Sequence, residues 1–330
     1  MPFYDDKNVL VTGAGGFIGS HLTERLVELG AKVRVFLRYN SQNRAGLIEC
    51  LPEHVQESLD VFWGDLKDPE AVRKAVKGNQ IVFHLGALIA IPYSYVNPLD
   101  YIQTNVIGTA NILNACMDYS VDILIHTSTS EVYGSAHYTP IDEAHPLQGQ
   151  SPYSATKIGT DKLAESYYRS FGLPVAILRP FNTYGPRQSG RAIIPTIITQ
   201  SLVGTRIKLG SLEPSRDFTY ITDVIDGFLK LCECQDALGQ TINVGSGQDI
   251  SIRDLVKRIS SILGKNVEIE REPARVRPKR SEVERLVCDN SKAREVLHWE
   301  PKIQLGEGLR KTIQWISRNM DSFKTGRYAI

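Results

Sequence analysis

The first 180 residues repeat one pattern: a short apolar run rich in β-branched residues, a turn, then a segment of helical period. Six runs read as strands: Asn8-Val-Leu-Val-Thr12, Lys32 to Leu37, Val61-Phe-Trp63, Gln80 to His84, Asp122 to His126 and Pro174 to Leu178. Parallel strands covered on both faces need continuous rather than alternating apolar runs. The pattern therefore predicts an α/β fold, a Rossmann-type doubly wound parallel sheet with a smaller α/β region attached. After about Arg179 the rhythm breaks, and Pro180, Gly185, Pro186, Gly190, Pro195, Gly204, Gly210 and Pro214 punctuate shorter elements. Helical patterns return near 223–232, 252–263 and 305–315. We expect one domain over 1–180, rejoined by about 217–245, and a second region over 181–330. A length of 330 residues suits about two domains.

With 38 Lys+Arg against 37 Asp+Glu, the net charge of +1 gives no global reason to bind nucleic acid or an acidic membrane surface. Any anionic ligand must be held by local cations. The start, Met1-Pro-Phe-Tyr-Asp-Asp-Lys7, lacks the basic-then-apolar order of a secretory signal. The most apolar stretch, Ile81 to Tyr93, is interrupted by His84, Gly86 and Pro92 and falls short of the about 20 residues that span a bilayer. Five irregularly spaced cysteines suit reduced thiols better than a disulfide framework, so a cytoplasmic location is expected. Cys232 and Cys234 have no second ligand pair nearby, and no metal site is expected.

Between the first strand and its helix stands Thr12-Gly-Ala-Gly-Gly-Phe-Ile-Gly19, which spaces Gly13, Gly16 and Gly19 as G-x-x-G-x-x-G. Glycine lets a pyrophosphate approach the backbone N–H groups, and the helix start at Phe17 and Ile18 adds positive potential. That context predicts a dinucleotide site. The end of the second strand offers Arg38, Asn40 and Ser41 with no carboxylate before Glu49, which favours NADP over NAD. Asp65 and Leu66 after the third strand, and Leu85 and Ala87 after the fourth, lie where the rest of the cofactor would pass.

Tyr153 and Lys157 form Y-x-x-x-K and share a helix face. A nearby ammonium and an oxidised nicotinamide favour phenolate, so Tyr153 can remove a hydroxyl proton during hydride transfer. The pair opens the helix after the fifth strand, whose end carries Thr127-Ser-Thr-Ser-Glu-Val-Tyr-Gly134. At this point the chain resembles the extended short-chain dehydrogenase/reductases, in their nucleotide-sugar epimerase/dehydratase branch. The resemblance rests also on Asn105-Val-Ile-Gly-Thr109, Arg179-Pro-Phe-Asn-Thr-Tyr-Gly-Pro186, Arg216-Asp-Phe218 and Leu297-His-Trp-Glu-Pro301. It implies that Thr129 binds the sugar O4, that Tyr153 is the base with Lys157 orienting the cofactor ribose, and that Asn105 supports the site. It further implies that Pro180 borders the cofactor, that Asn182 lies near a diphosphate, and that Arg191, Arg216 and Arg277 bind substrate. It also implies a homodimer built on the helices near 100–119 and 153–171.

Glu131 separates the chemistries. A 4-epimerase only removes and returns one hydride at C4, whereas a 4,6-dehydratase must also take the C5 proton, made acidic by the C4 ketone, and expel the 6-hydroxyl. Thr129-Ser130-Glu131 resembles the triplet of GDP-mannose and N-acetylhexosamine 4,6-dehydratases. The dTDP-glucose dehydratases carry Asp where Ser130 stands. UDP-glucuronate decarboxylases share the triplet but need a cation for the substrate carboxylate, and Leu88 to Tyr95 is neutral. The expected function is a nucleotide-sugar 4,6-dehydratase acting on UDP- or GDP-N-acetylglucosamine. An epimerase, a decarboxylase and a catalytically silent dinucleotide-sensing scaffold are the alternatives.

Overall fold

A computed structural model of the chain describes residues 2–276 and 278–323. Its strands, in chain order, are β1 (Asn8–Thr12), β2 (Lys32–Arg38), β3 (Asp60–Gly64), β4 (Ile81–His84), β5 (Ile123–Thr127), β6 (Val175–Pro180), β7 (Asn182–Tyr184), β8 (Arg206–Leu209), β9 (Ser215–Tyr220), β10 (Thr241–Val244), β11 (Asp249–Ser251), β12 (Glu268–Arg271) and β13 (Arg285–Leu286). Seven of them make one parallel sheet in the order β10-β6-β5-β4-β1-β2-β3. The six runs read from sequence are its first six strands in chain order, and β10 adds the seventh. β4 and β6 are buried throughout, as strands covered on both faces must be.

From β1 the chain winds outward through β2 to β3, then crosses back so that β4 pairs with the other edge of β1. The order reverses there, and the crevice at the carboxyl ends of β1 and β4 is where open α/β sheets bind ligands. β9 lies in a separate small sheet, antiparallel to β11 and parallel to β7 and β13, while β8 pairs with β12. Of the stretch 217–245, the helix Ile221–Glu233 packs on β5 and β6, and β10 extends the large sheet. The described residues of the charged stretch 271–285 are mainly loop around two short turns.

The helix that carries Tyr153 spans Pro152–Phe171. Ser151 and Ser154 form a reciprocal capping box, Pro152 occupies the first helical position, and Gly172 ends the helix in the left-handed region at φ 71°. The expected helix over 100–119 is broken by a π-helical segment, Ile102–Ile107. Leu99, Ile102, Ile107, Met117, Tyr168 and Phe171 on this pair of segments are exposed. None of the described helices is long and apolar enough to cross a membrane.

Polar side chains are buried at the centre of the sheet. His84 on β4 stands beside His126 on β5, with ring centroids 5.7 Å apart. His84 bonds Thr12 Oγ1 at 2.8 Å and Thr109 Oγ1 at 3.0 Å, and His126 Nε2 meets Thr160 Oγ1 at 3.2 Å. Burial lowers both imidazoles, His126 to about 4, and also lowers His21 to about 4. A histidine whose folded value lies below its unfolded one, about 6.5, adds stability above that value and loses it as pH falls. In NMR titration three of the seven histidines should therefore hold neutral-form ring shifts at pH 5.5. Seven resonances that all move near pH 6.5 would refute this.

Candidate active site

The turn after β1 is closed by contact. A Cβ on Gly13, at φ +72°, would lie 2.8 Å from Leu85 C and Gly86 N, and one on Gly19 would meet Gly13 O at 2.2 Å. Only glycine fits either place. The helix Phe17–Glu28 begins after Gly16 without a side-chain cap, so its first-turn N–H groups, those of Phe17 and Ile18 included, face outward as an anion site. A cleft of about 290 Å³ opens here, lined in part by Gly13, Gly16, Arg38, Asp65, Leu66 and Ala87. The cradle and its local cations fit a dinucleotide.

Some residues expected in this cleft stand elsewhere. Asn40 Oδ1 accepts from Gln42 N at 3.2 Å and Arg44 N at 3.0 Å, and its Nδ2 donates to Arg44 O at 2.8 Å, so its amide shapes a loop. Ser41 is exposed on that loop outside the lining. Leu85 backs the Gly13 turn, and Pro180 is buried at the end of β6 opposite Val244. Gly86, within the segment Leu85-Gly-Ala87 expected to pass the cofactor, does line the cleft, and sequence reasoning missed Gly15, Arg44 and Leu88 there. The polar run after β2 signalled an Asx-type turn, which would have brought Arg44 back to the strand end.

Leu88 lines this cleft and Pro92 lines a second one. Thr129 caps the short turn Ser130–Tyr133, its Oγ1 accepting from Glu131 N at 3.2 Å. Thr129 and Glu131 are half-buried, whereas Ser130 is buried. The Tyr153 ring packs edge-on against Tyr101 at 6.3 Å, and Tyr101 donates to Ala90 O at 2.6 Å. Burial raises the Tyr153 phenol; a hydrogen bond with Thr129 opposes that rise, and the Glu131 charge adds to it. The Tyr153 hydroxyl, Thr129 and Glu131 thus share one electrostatic environment. Lys157 is buried, donates to Thr127 O at 2.6 Å, and is drawn down by burial to about 8.

Asn105 sits in the π-helical segment, a distortion often found at functional sites. Its Oδ1 accepts from Leu88 N at 2.8 Å, and its Nδ2 donates to Leu88 O and to Thr156 Oγ1, each at 3.0 Å. One amide thus locks the cleft wall to the Tyr153 helix.

The second cleft, of about 370 Å³, lies against the small sheet and includes Pro92, Asn182, Arg191, Arg216, Arg275 and Glu282 in its lining. Asn182 Nδ2 is buried without a hydrogen-bond partner among the described residues. Arg216 Nη2 lies 3.3 Å from Glu282 Oε1. Arg191 is near enough for its charge to act on Tyr101. Arg277 lies outside the described residues. Arg275, which sequence reasoning did not single out, supplies a cation from the same charged loop.

A family model described as GDP-mannose 4,6 dehydratase matches residues 10–312. The chain belongs to this family. It is similar to the dTDP-glucose 4,6-dehydratase of Streptomyces antibioticus, 32% identical over 317 residues, which span 94% of this chain and 93% of the relative. Among solved structures, the dTDP-glucose 4,6-dehydratase of Streptomyces venezuelae, with NAD bound, superimposes with TM-score 0.85 at 28% identity over 96% of this chain and 99% of its own. The UDP-N-acetylglucosamine 4-epimerase of Methanobrevibacter ruminantium, in complex with UDP-N-acetylmuramic acid, superimposes with TM-score 0.86 at 31% identity over 96% and 100%. Dehydratases and epimerases thus share this fold at similar distance from the GDP-mannose 4,6-dehydratase family member described here.

Proposed function

We propose that the protein is a nucleotide-sugar 4,6-dehydratase that converts UDP- or GDP-N-acetylglucosamine to the 4-keto-6-deoxy sugar. The observation that carries this reading is Glu131, a half-buried carboxylate two residues from Thr129 whose charge acts on the Tyr153 phenol. Thr129 would hold the sugar O4, and Tyr153, its phenolate favoured by Lys157, would take the O4 proton. A nicotinamide dinucleotide held on the glycine turn would supply the acceptor for the C4 hydride and the donor of the same hydride to C6 after water has left, C5 then taking up a proton from solvent through Glu131. Glu131 takes the C5 proton and passes it to the departing 6-hydroxyl, which leaves as water. One group serves both transfers because Ser130 carries no carboxyl and is buried. Asn182, Arg216 and Arg275 would hold the diphosphate.

Arg191 favours a second reading, since a cation near Tyr101 could face a sugar carboxylate, as a UDP-glucuronate decarboxylase requires. Incubation with UDP-N-acetylglucosamine, GDP-N-acetylglucosamine and UDP-glucuronate separates the cases. A dehydratase product lacks one water by mass, an epimer keeps the mass, and a decarboxylase forms xylose. Glu131→Gln should retain cofactor binding and lose solvent exchange at C5 by about 10²-fold or more; an unchanged exchange rate would exclude the role given to Glu131.

Arg38 and Arg44 in the cleft, with no acidic residue at the end of β2, support NADP as the preferred dinucleotide. Fluorescence titration should show tighter binding of NADP than NAD, and replacing both arginines by alanine should remove about tenfold or more of the difference. Tighter NAD binding by the native chain would sink the preference. The exposed apolar residues of the 99–117 segment and the Tyr153 helix support a homodimer. Analytical ultracentrifugation should find two copies, and aspartate in place of Leu99 and Phe171 should give monomers; a native monomer contradicts this.

A further inference from the structure

A buried ionic cluster lies one helical turn beyond Lys157. Asp161 shares the Lys157 face of the helix and is 1% exposed. Its Oδ2 accepts from Ser128 Oγ at 2.7 Å and from Arg179 Nε and Nη2 at 3.0 and 2.9 Å, and His126 Nε2 lies 3.4 Å from its Oδ1. Arg179 Nη1 donates to Tyr133 Oη at 3.0 Å, and that hydroxyl donates to Asn243 Oδ1 at 2.7 Å. Lys157 is anchored on the carbonyl of Thr127 and Asp161 on the hydroxyl of Ser128. Ammonium and carboxylate are therefore tethered to consecutive residues at the end of β5.

Stability alone does not account for this arrangement. Buried ion pairs return little more than their desolvation cost, and an apolar pair of similar volume is often as stable or more so. We propose that Asp161 is a positioning residue of the active site, whose carboxylate keeps Lys157 an ammonium beneath Tyr153 and so sets the upper pH limit at which Tyr153 works as a base. The proposal rests on the reading of Tyr153 and Lys157 as the oxidation pair.

Burial lowers Lys157 to about 8, and the Asp161 charge opposes that fall. Burial pushes Asp161 up, yet His126, Arg179 and Lys157 together hold it down at about 2, so it stays ionised across the working range. The other groups facing Lys157 are Tyr153 on its own helix, His126 on β5 and His84 on β4, the two histidines being neutral at neutral pH. From β6, Arg179 faces the same carboxylate. Lys157 loses its charge as pH rises through about 8. Without the Asp161 charge it would lose it at lower pH, and the alkaline limb of the rate profile would move down.

The test is the pH dependence of kcat for the native chain, for Asp161→Glu, and for the double variant Asp161→Asn with Arg179→Met, in which Arg179 is not left buried without its carboxylate. The double variant should shift the alkaline limb down by about one pH unit, a roughly tenfold loss on that limb, with KM little changed. Asp161→Glu should keep the native limb. A double variant with the native limb overturns the proposal, because the carboxylate would then serve only to neutralise Arg179; so does a glutamate variant whose limb falls with the double variant's. If the double variant does not fold, Ser128→Ala decides. Losing that hydroxyl leaves more of the carboxylate charge for Lys157, so the limb should rise, and a limb that stays or falls refutes the role. A native chain that oxidises no nucleotide sugar would instead defeat the underlying reading of Tyr153 and Lys157.

Discussion

The molecule is organised around the narrow gap where β1 and β4 part at the carboxyl edge of the sheet. The β1 turn and the Leu85-Gly86 backbone approach so closely that no side chain fits between them at Gly13. Thr12 braces the gap, its Oγ1 accepting from Gly86 N at 3.0 Å and bonding the His84 ring. The chain leaving this gap reaches Leu88, which Asn105 ties to the Tyr153 helix through Thr156. The glycine turn, cleft wall and phenol-bearing helix are thus successive links of one backbone-anchored chain of contacts. The links are the Thr12, Asn105 and Thr156 side chains, each hydrogen-bonded at 2.8 to 3.0 Å.

Beneath that edge the sheet departs from the apolar rule that its strands otherwise follow. Thr12, His84, His126, Ser128, Arg179 and Asn243 come from five strands or their ends, and all are buried. A buried polar group without a partner costs about 1–3 kcal/mol, so such a floor is tolerated only when its members bond one another. Each of these six side chains has at least one polar partner. The network is not saturated, since His126 Nδ1, Thr127 Oγ1 and Asp161 Oδ1 lack a hydrogen-bond partner among the described residues, and it borders Lys157, a charge buried on the Tyr153 helix.

Legibility from the sequence followed the range of the interaction. The six strands, the glycine turn and the Tyr153–Lys157 spacing depend on residues within one turn or one strand, and each stands where the pattern put it. The residues that went astray depend on chain reversal. Asn40 was read as a ligand group, yet its amide is consumed by the loop that brings Arg44 to the cleft. Pro180 stands at a strand end in the sequence as it does in the fold, but β10 covers it, a pairing across more than 60 residues that no local signal announces. Arg275 sat in a charge run whose members look alike until the fold places one of them, paired with Glu272, in the lining of the second cleft. The break at Ile102–Ile107 was equally silent, since a π turn follows from what Asn105 must reach and not from its own propensity.

The difference between the two chemistries of this family is small in structure and large in consequence. Removing hydride from C4 needs the phenol, the ammonium and the dinucleotide, and those requirements are common to epimerisation and dehydration. Elimination adds one demand, a group that can hold the C5 proton and release it to a leaving hydroxyl. That group must be ionised when the ketone forms yet close enough to the phenol for its charge to be felt there. Such a charge raises the Tyr153 phenol and works against the first step. A carboxylate at Glu131 therefore makes chemical sense only if a cation offsets it, and Lys157 is the cation on the face that Tyr153 shares. A dehydratase should consequently depend more heavily than an epimerase on whatever keeps that lysine charged, which is the role proposed above for the Asp161 carboxylate.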